Sequence, residues 1–171
     1  MSQIDNKVKW CLEKAKKEIA NGNRHRGLLK KKEDIEEAKK HIQKANHNLK
    51  AAIYLEKGGF PDWAVSAHFY TIYHCFLALI AKYGYESRNQ ECTIALIESL
   101  KIEGMINIDT NFIEHLKNTD SEEQHESNII RLRENFQYGT STVIDDKKIN
   151  EIKTLSKKAI EQTTKEIYES N

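Results

Sequence analysis

The stretch IIRLRENFQYG, residues 129–139, crowds polar groups into the end of an otherwise amphipathic segment. On a helix, Arg133 and Gln137 share a face, and so do Glu134 and Tyr138, because residues four apart are neighbours. A guanidinium donates paired hydrogen bonds to phosphate oxygens. Arg131 and Arg133, with Asn135 and Tyr138 beside them, therefore form a group that could bind and polarise a phosphodiester. The ordinary alternative is a salt-bridged surface helix with Tyr138 packed under the following loop.

A second group lies near the N-terminus. NGNRHRGLLKKKED, residues 21–34, contains two glycines and a run of cations: Arg24, His25, Arg26, Lys30, Lys31 and Lys32. This composition predicts a loop with electrostatic affinity for a phosphate chain, although basic loops are commonly just solvated. A third group comprises Asp62, Ser66, Tyr70, Tyr73 and His74, at helical spacing within one apolar stretch. Tyr70 lies four residues before His74, which predicts a small buried polar network. A histidine in an apolar helix is most often a satisfied core residue.

Metal chemistry finds little support. His41 and His47 are six apart, as are His68 and His74, and six residues rotate a side chain well off its starting face. Zinc sites on helices favour spacings of three or four. CxxC, HExxH and glycine-rich phosphate-loop patterns are absent from the sequence. No metal or cofactor is expected.

The elements positioning these groups read as helices. PDWAVSAHFYTIYHCFLALIAKY, residues 61–83, is apolar on nearly every side of its helical wheel and predicts a helix buried all round. Pro61 suits its first turn and Gly84 its end. Residues 34–57 repeat apolar positions at threes and fours, and Gly58-Gly59 makes this helix an antiparallel neighbour of the central one. Further helices are expected over 4–20, from about 90 to 103, after Asp109, from Asp120-Ser121 to Tyr138, and from Asp145 onward. All seven glycines fall between these segments and no stretch alternates with period two. The expectation is an all-α antiparallel bundle (34–171) with an added basic N-terminal helix and loop (1–33), together one compact unit.

The 27 Lys/Arg and 26 Asp/Glu give a net charge of +1, so overall charge selects no partner. Its distribution is uneven: residues 1–50 carry 14 basic and 7 acidic side chains, a net of +7, whereas 109–138 carry 3 and 7, a net of −4. Cys11, Cys75 and Cys92 stand at unrelated spacings, which predicts no disulfide framework and fits a reducing cytoplasm. The N-terminus lacks the pattern of a signal peptide. Asp62, His68, His74 and Lys82 interrupt the apolar stretch, so it is read as a core helix and not a membrane span.

Two segments carry a resemblance. Asp62-x-Ala64-x-x-Ala67-x-Phe69-Tyr70-x-x-Tyr73-His74-x-x-x-Ala78-Leu79 resembles the central helix of HEPN domains (higher eukaryotes and prokaryotes nucleotide-binding) of the archaeal and bacterial type. Leu132-Arg133-Glu134-x-x-x-Tyr138-Gly139 resembles their second signature helix. The resemblance spans roughly residues 35–167 and implies a helical bundle that usually dimerises. It also implies activity on RNA as a metal-independent endoribonuclease of defence or toxin–antitoxin type. In such enzymes an arginine, followed four to six residues on by histidine, meets its symmetry mate at the dimer interface. Here Arg133 is present, but the window after it holds Gln137, Tyr138, Gly139 and Thr140. A phenol, with a pKa of about 10 against about 6.5 for imidazole, is a poor base at neutral pH. The second expectation is therefore a non-catalytic module binding a nucleotide, RNA or a protein partner such as a nucleotidyltransferase antitoxin. A purely structural helical adaptor is the remaining alternative.

Overall fold

A computed structural model describes residues 2–117 and 128–169. Seven α-helices and one two-stranded sheet make up the described residues. The central helix α3 (Pro61–Lys82) follows α2 (Ile35–Lys57) across a three-residue turn, Gly58 to Phe60. Early α2 meets late α3 at His41–His74, so the pair is antiparallel. Alanines 38, 45 and 52 on α2 are fully buried and let the two backbones approach closely. Around α3 also pack α4 (Gln90–Ile102), α5 (Thr110–Leu116), α6 (Ile129–Tyr138) and α7 (Asp146–Tyr168). Phe69, Ile72, Phe76, Leu79 and Ile80 of α3 fill the middle. Burying each such side chain stabilises the fold by about 1.5–3 kcal/mol.

Local signals set the helix ends. Asn89, Asp109, Asn128 and Asp145 cap α4 to α7 by accepting hydrogen bonds from backbone N–H groups two or three residues on. Pro61 opens α3. The helix expected to begin at Asp120-Ser121 has that start outside the described residues. The helix described there, α6, begins at Ile129 behind its Asn128 cap.

Three expectations are corrected. First, α3 is not buried all round: Trp63 is 64% exposed and Tyr70, two turns on, is 45% exposed, which leaves one open stripe. Second, the loop after α1 (Gln3–Ala20) and the polar stretch after Gly84 each contain a short strand. Strands β1 (Leu28–Lys30) and β2 (Tyr85–Ser87) pair antiparallel with Leu29 opposite Glu86. Three residues are too few for period-two alternation to register in the sequence. Third, Cys11 of α1 forms a disulfide with Cys92 of α4, both fully buried, across 81 residues of sequence. Nothing in the spacing of the cysteines reveals that α1 lies on α4 and β1. Gly27 makes that docking possible, because a Cβ there would lie 2.3 Å from the Cys11 carbonyl oxygen.

α3 is long and apolar enough to cross a membrane, but 67% of its most apolar window is buried inside the protein.

Candidate functional site

Arg133 projects from α6 onto α3. Its guanidinium carbon sits 4.1 Å from the centre of the buried Phe69 ring and 5.8 Å from that of Tyr70. Nη1 donates to the Tyr70 hydroxyl at 3.4 Å. The ring faces hold the cation by their quadrupoles. Arg133 forms no ion pair with a carboxylate among the described residues, and its buried Nε–H has no acceptor. A buried donor without a partner is costly and rare in native structures. Arg131, two residues back and about 200° round the helix, also carries a buried Nε without an acceptor among the described residues. The arrangement leaves cationic donors held in place with no anion of their own.

The companions proposed from the sequence are less closely gathered. Asn135 is exposed, and Tyr138 is 82% exposed and not packed under the loop. Two and five residues from Arg133 on the helix, they do not share its face, and neither touches it. Glu134 and Asp62 are half-buried. The expected Tyr70–His74 network does not form. Tyr70 is partnered by Arg133, while His74 Nδ1 lies 3.0 Å from His41 Nδ1 on α2, one ring donating to the other. Burial, the neighbouring His41 and Lys44 bring the His74 pKa down to about 4. Burial likewise lowers that of His41, against the charge of Glu37. Tyr73 stacks on Phe69 and exchanges a hydrogen bond with Thr93, so it braces the platform under Arg133 from the other side.

The basic loop is more ordered than its composition implies. His25 is 4% exposed, and its Nε2 lies 2.9 Å from Glu86 of β2. It is an internal strut and not a surface phosphate contact. Glu18 accepts from the Arg26 backbone N–H, which fixes the loop from the α1 side. Burial opposes ionisation of Glu86, but hydrogen bonds from Lys31 and His25 and the charges of Lys31 and Arg88 outweigh it, and its pKa falls to about 2. Arg24, Arg26 and Lys30 are exposed. Arg88, which the sequence left in an unremarkable polar stretch, joins Arg24 and Arg26 around a cavity of about 640 Å³.

One constellation escaped the sequence reading. His68 Nδ1 lies 2.9 Å from Ser156 Oγ, and His68 Nε2 lies 2.7 Å from Glu56 Oε1, with Lys153 also pairing Glu56. The order carboxylate–imidazole–hydroxyl matches that of a hydrolytic triad. However, His68 and Ser156 are fully buried, so no substrate reaches them. The network ties α2, α3 and α7 together. Among the described residues no group of three His, Cys, Asp or Glu side chains is placed to hold a metal ion.

A search of curated proteins returns no match for this chain. Comparison with protein families matches the HEPN domain over residues 38–167, which includes α3, α6 and the Arg133 platform. The chain belongs to the HEPN domain family.

Proposed function

We propose that this HEPN protein acts on RNA, with Arg133 holding a phosphodiester as part of a metal-independent endoribonuclease site of defence or toxin–antitoxin type. The observation that carries the reading is the Arg133 guanidinium, fixed on Phe69 and Tyr70 with no carboxylate partner among the described residues. In the reaction, the RNA 2′-hydroxyl oxygen bonds to the adjacent phosphorus and the bond from phosphorus to the 5′ oxygen breaks. A 2′,3′-cyclic phosphate and a free 5′-hydroxyl result. Arg133 and Arg131 stabilise charge on the phosphate oxygens, and Asn135 and Tyr138 position the reacting group. Two protomers, related by a twofold axis beside the exposed Trp63–Tyr70 stripe, would bring two such sites together. In a binding assay with a labelled single-stranded RNA, Arg133→Ala is expected to weaken affinity about tenfold or more while the far-UV spectrum is unchanged. Unaltered affinity at every salt concentration contradicts the reading.

A specific observation favours a second reading, a non-catalytic module that binds RNA, a nucleotide or a nucleotidyltransferase partner. The 2′-hydroxyl proton needs an acceptor, and no imidazole follows Arg133 within six residues. His74, one helical turn from Tyr70, is neutral at pH 7, but at a pKa of about 4 it is a weak base. This reading predicts no cleavage, with binding that falls as salt rises if the ligand is a polyanion. RNA as target sets the protein in the cytoplasm. There thiols are kept reduced, so the buried Cys11–Cys92 bridge is the feature that strains this placement. A thiol titration of denatured protein prepared without reductant is expected to find one free thiol, Cys75, whereas three would contradict the bridge.

A further inference from the structure

We propose that the Arg24–Arg26–Arg88 pocket is a phosphate subsite for single-stranded RNA, gripping the same strand whose phosphodiester lies at Arg133. This inference rests on the RNA reading above and adds the length and path of the ligand. Arg24 and Arg26 lie outside the residues matched to the HEPN domain.

The pocket is built and not incidental. Arg24 and Arg26 flank the buried His25, whose ring is bonded to Glu86, and the Arg26 backbone is bonded to Glu18. The backbone carrying both guanidiniums is thereby held. Arg88 arrives from the opposite strand, its backbone N–H donating to the Gly27 carbonyl at 3.1 Å. Arg24 and Arg26 have no acidic side-chain partner among the described residues. Two guanidiniums without an ion-pair partner among the described residues, and a third paired with Glu86, therefore converge on an open cavity of about 640 Å³, whose one lining carboxylate, Glu18, is engaged by the Arg26 backbone N–H. Guanidinium groups match phosphate with paired donors, and positive grooves that track a backbone are how single strands are bound without sequence readout.

Residues of α2, α3 and the hairpin lie between this pocket and Arg133. Arg88 also lines a second cavity of about 440 Å³, where Lys31, Lys32 and His41 stand beside the carboxylates Asp34, Glu37 and Glu86. His41 pairs with His74, and Tyr70, one turn earlier on α3, bonds Arg133. The route from Tyr70 to the hairpin after α3 follows about 20 Å of helix. A strand of several nucleotides spans that distance, while a dinucleotide does not.

The test compares fluorescence anisotropy of a labelled dodecanucleotide and a labelled dinucleotide RNA. The proteins are the wild type, Arg24→Ala/Arg26→Ala and Arg133→Ala, across a salt series. Both arginines of the double variant are exposed, and a melting curve checks that it is folded. The expected result is that the double variant binds the dodecamer about tenfold more weakly. Its salt slope should be shallower by about 1.4, for two phosphates released from a single strand. Its dinucleotide affinity should match that of the wild type, whereas Arg133→Ala weakens both ligands. If only Arg133→Ala weakens the dodecamer, the subsite is refuted and the RNA reading stands. If only the double variant does, the pocket holds an anion but the strand shared with Arg133 is refuted. If the wild type binds neither RNA at low salt, both ideas fail together.

Discussion

At the scale of single residues, the histidines set the protein's response to acid. His41, His68, His74 and His115 all have pKa values below that of a free imidazole, chiefly through burial. The unfolded chain therefore binds more protons than the folded one between the two values. Stability from these groups is complete above about pH 6.5 and is lost as pH falls toward the folded-state values. Lys44 faces His74, and Lys153 and Lys157 face His68; their charges act against protonation, while Glu37 and Glu56 act for it. For His74 alone, discounted for its contact with solvent, the loss between pH 7 and pH 5 is about 1 kcal/mol. Thermal melts should show a midpoint lower at pH 5 by about 2–4 °C or more. A midpoint that is flat or rises toward pH 5 contradicts the buried, neutral assignment. The sequence exposed the chemistry of Arg133 through its spacing to Gln137 and Tyr138. It could not expose the Phe69 ring beneath Arg133, nor the turning inward of His25, because both depend on contacts across 60 or so residues.

At the scale of elements, periodicity and capping made the helices legible, and Pro61, Asp109 and Asp145 sit where their chemistry places them. What joins the elements was not legible. The β1–β2 pair is too short to pattern, and the Cys11–Cys92 bridge depends on α1 docking on α4. Closing a loop of this length by a disulfide contributes about 2–4 kcal/mol in most proteins. Cys11→Ser should lower the melting midpoint by about 5–15 °C and expose α1 to proteolysis, leaving the 38–167 bundle intact. An unchanged midpoint would mean that the bridge adds nothing. The Glu56–His68–Ser156 network makes a parallel prediction for α2, α3 and α7. His68→Ala removes a packed ring and leaves Ser156 without its partner, at a cost of about 2–4 kcal/mol. A urea titration that finds less than about 1 kcal/mol would show the network to be dispensable.

For the whole molecule, the charge asymmetry noted in the sequence acquires a location. Four of the N-terminal cations, Arg24, Arg26, Lys31 and Lys32, line the two cavities at the hairpin. Arg133 lies on the α3–α6 side, beside the open aromatic stripe of Trp63 and Tyr70. The proposed twofold assembly would use these exposed aromatics at i and i+7. Sedimentation should find a dimer that Trp63→Asp dissociates, while a monomeric wild type at micromolar concentration would contradict twofold assembly. The role proposed for Arg133, holding an RNA phosphodiester for cleavage without metal, can be checked by incubating purified protein with total RNA and tRNA in EDTA. Wild type and Arg133→Ala should be run side by side. Fragments bearing cyclic phosphate are expected from the wild type and none from the variant. Equal fragmentation by both proteins would contradict that role.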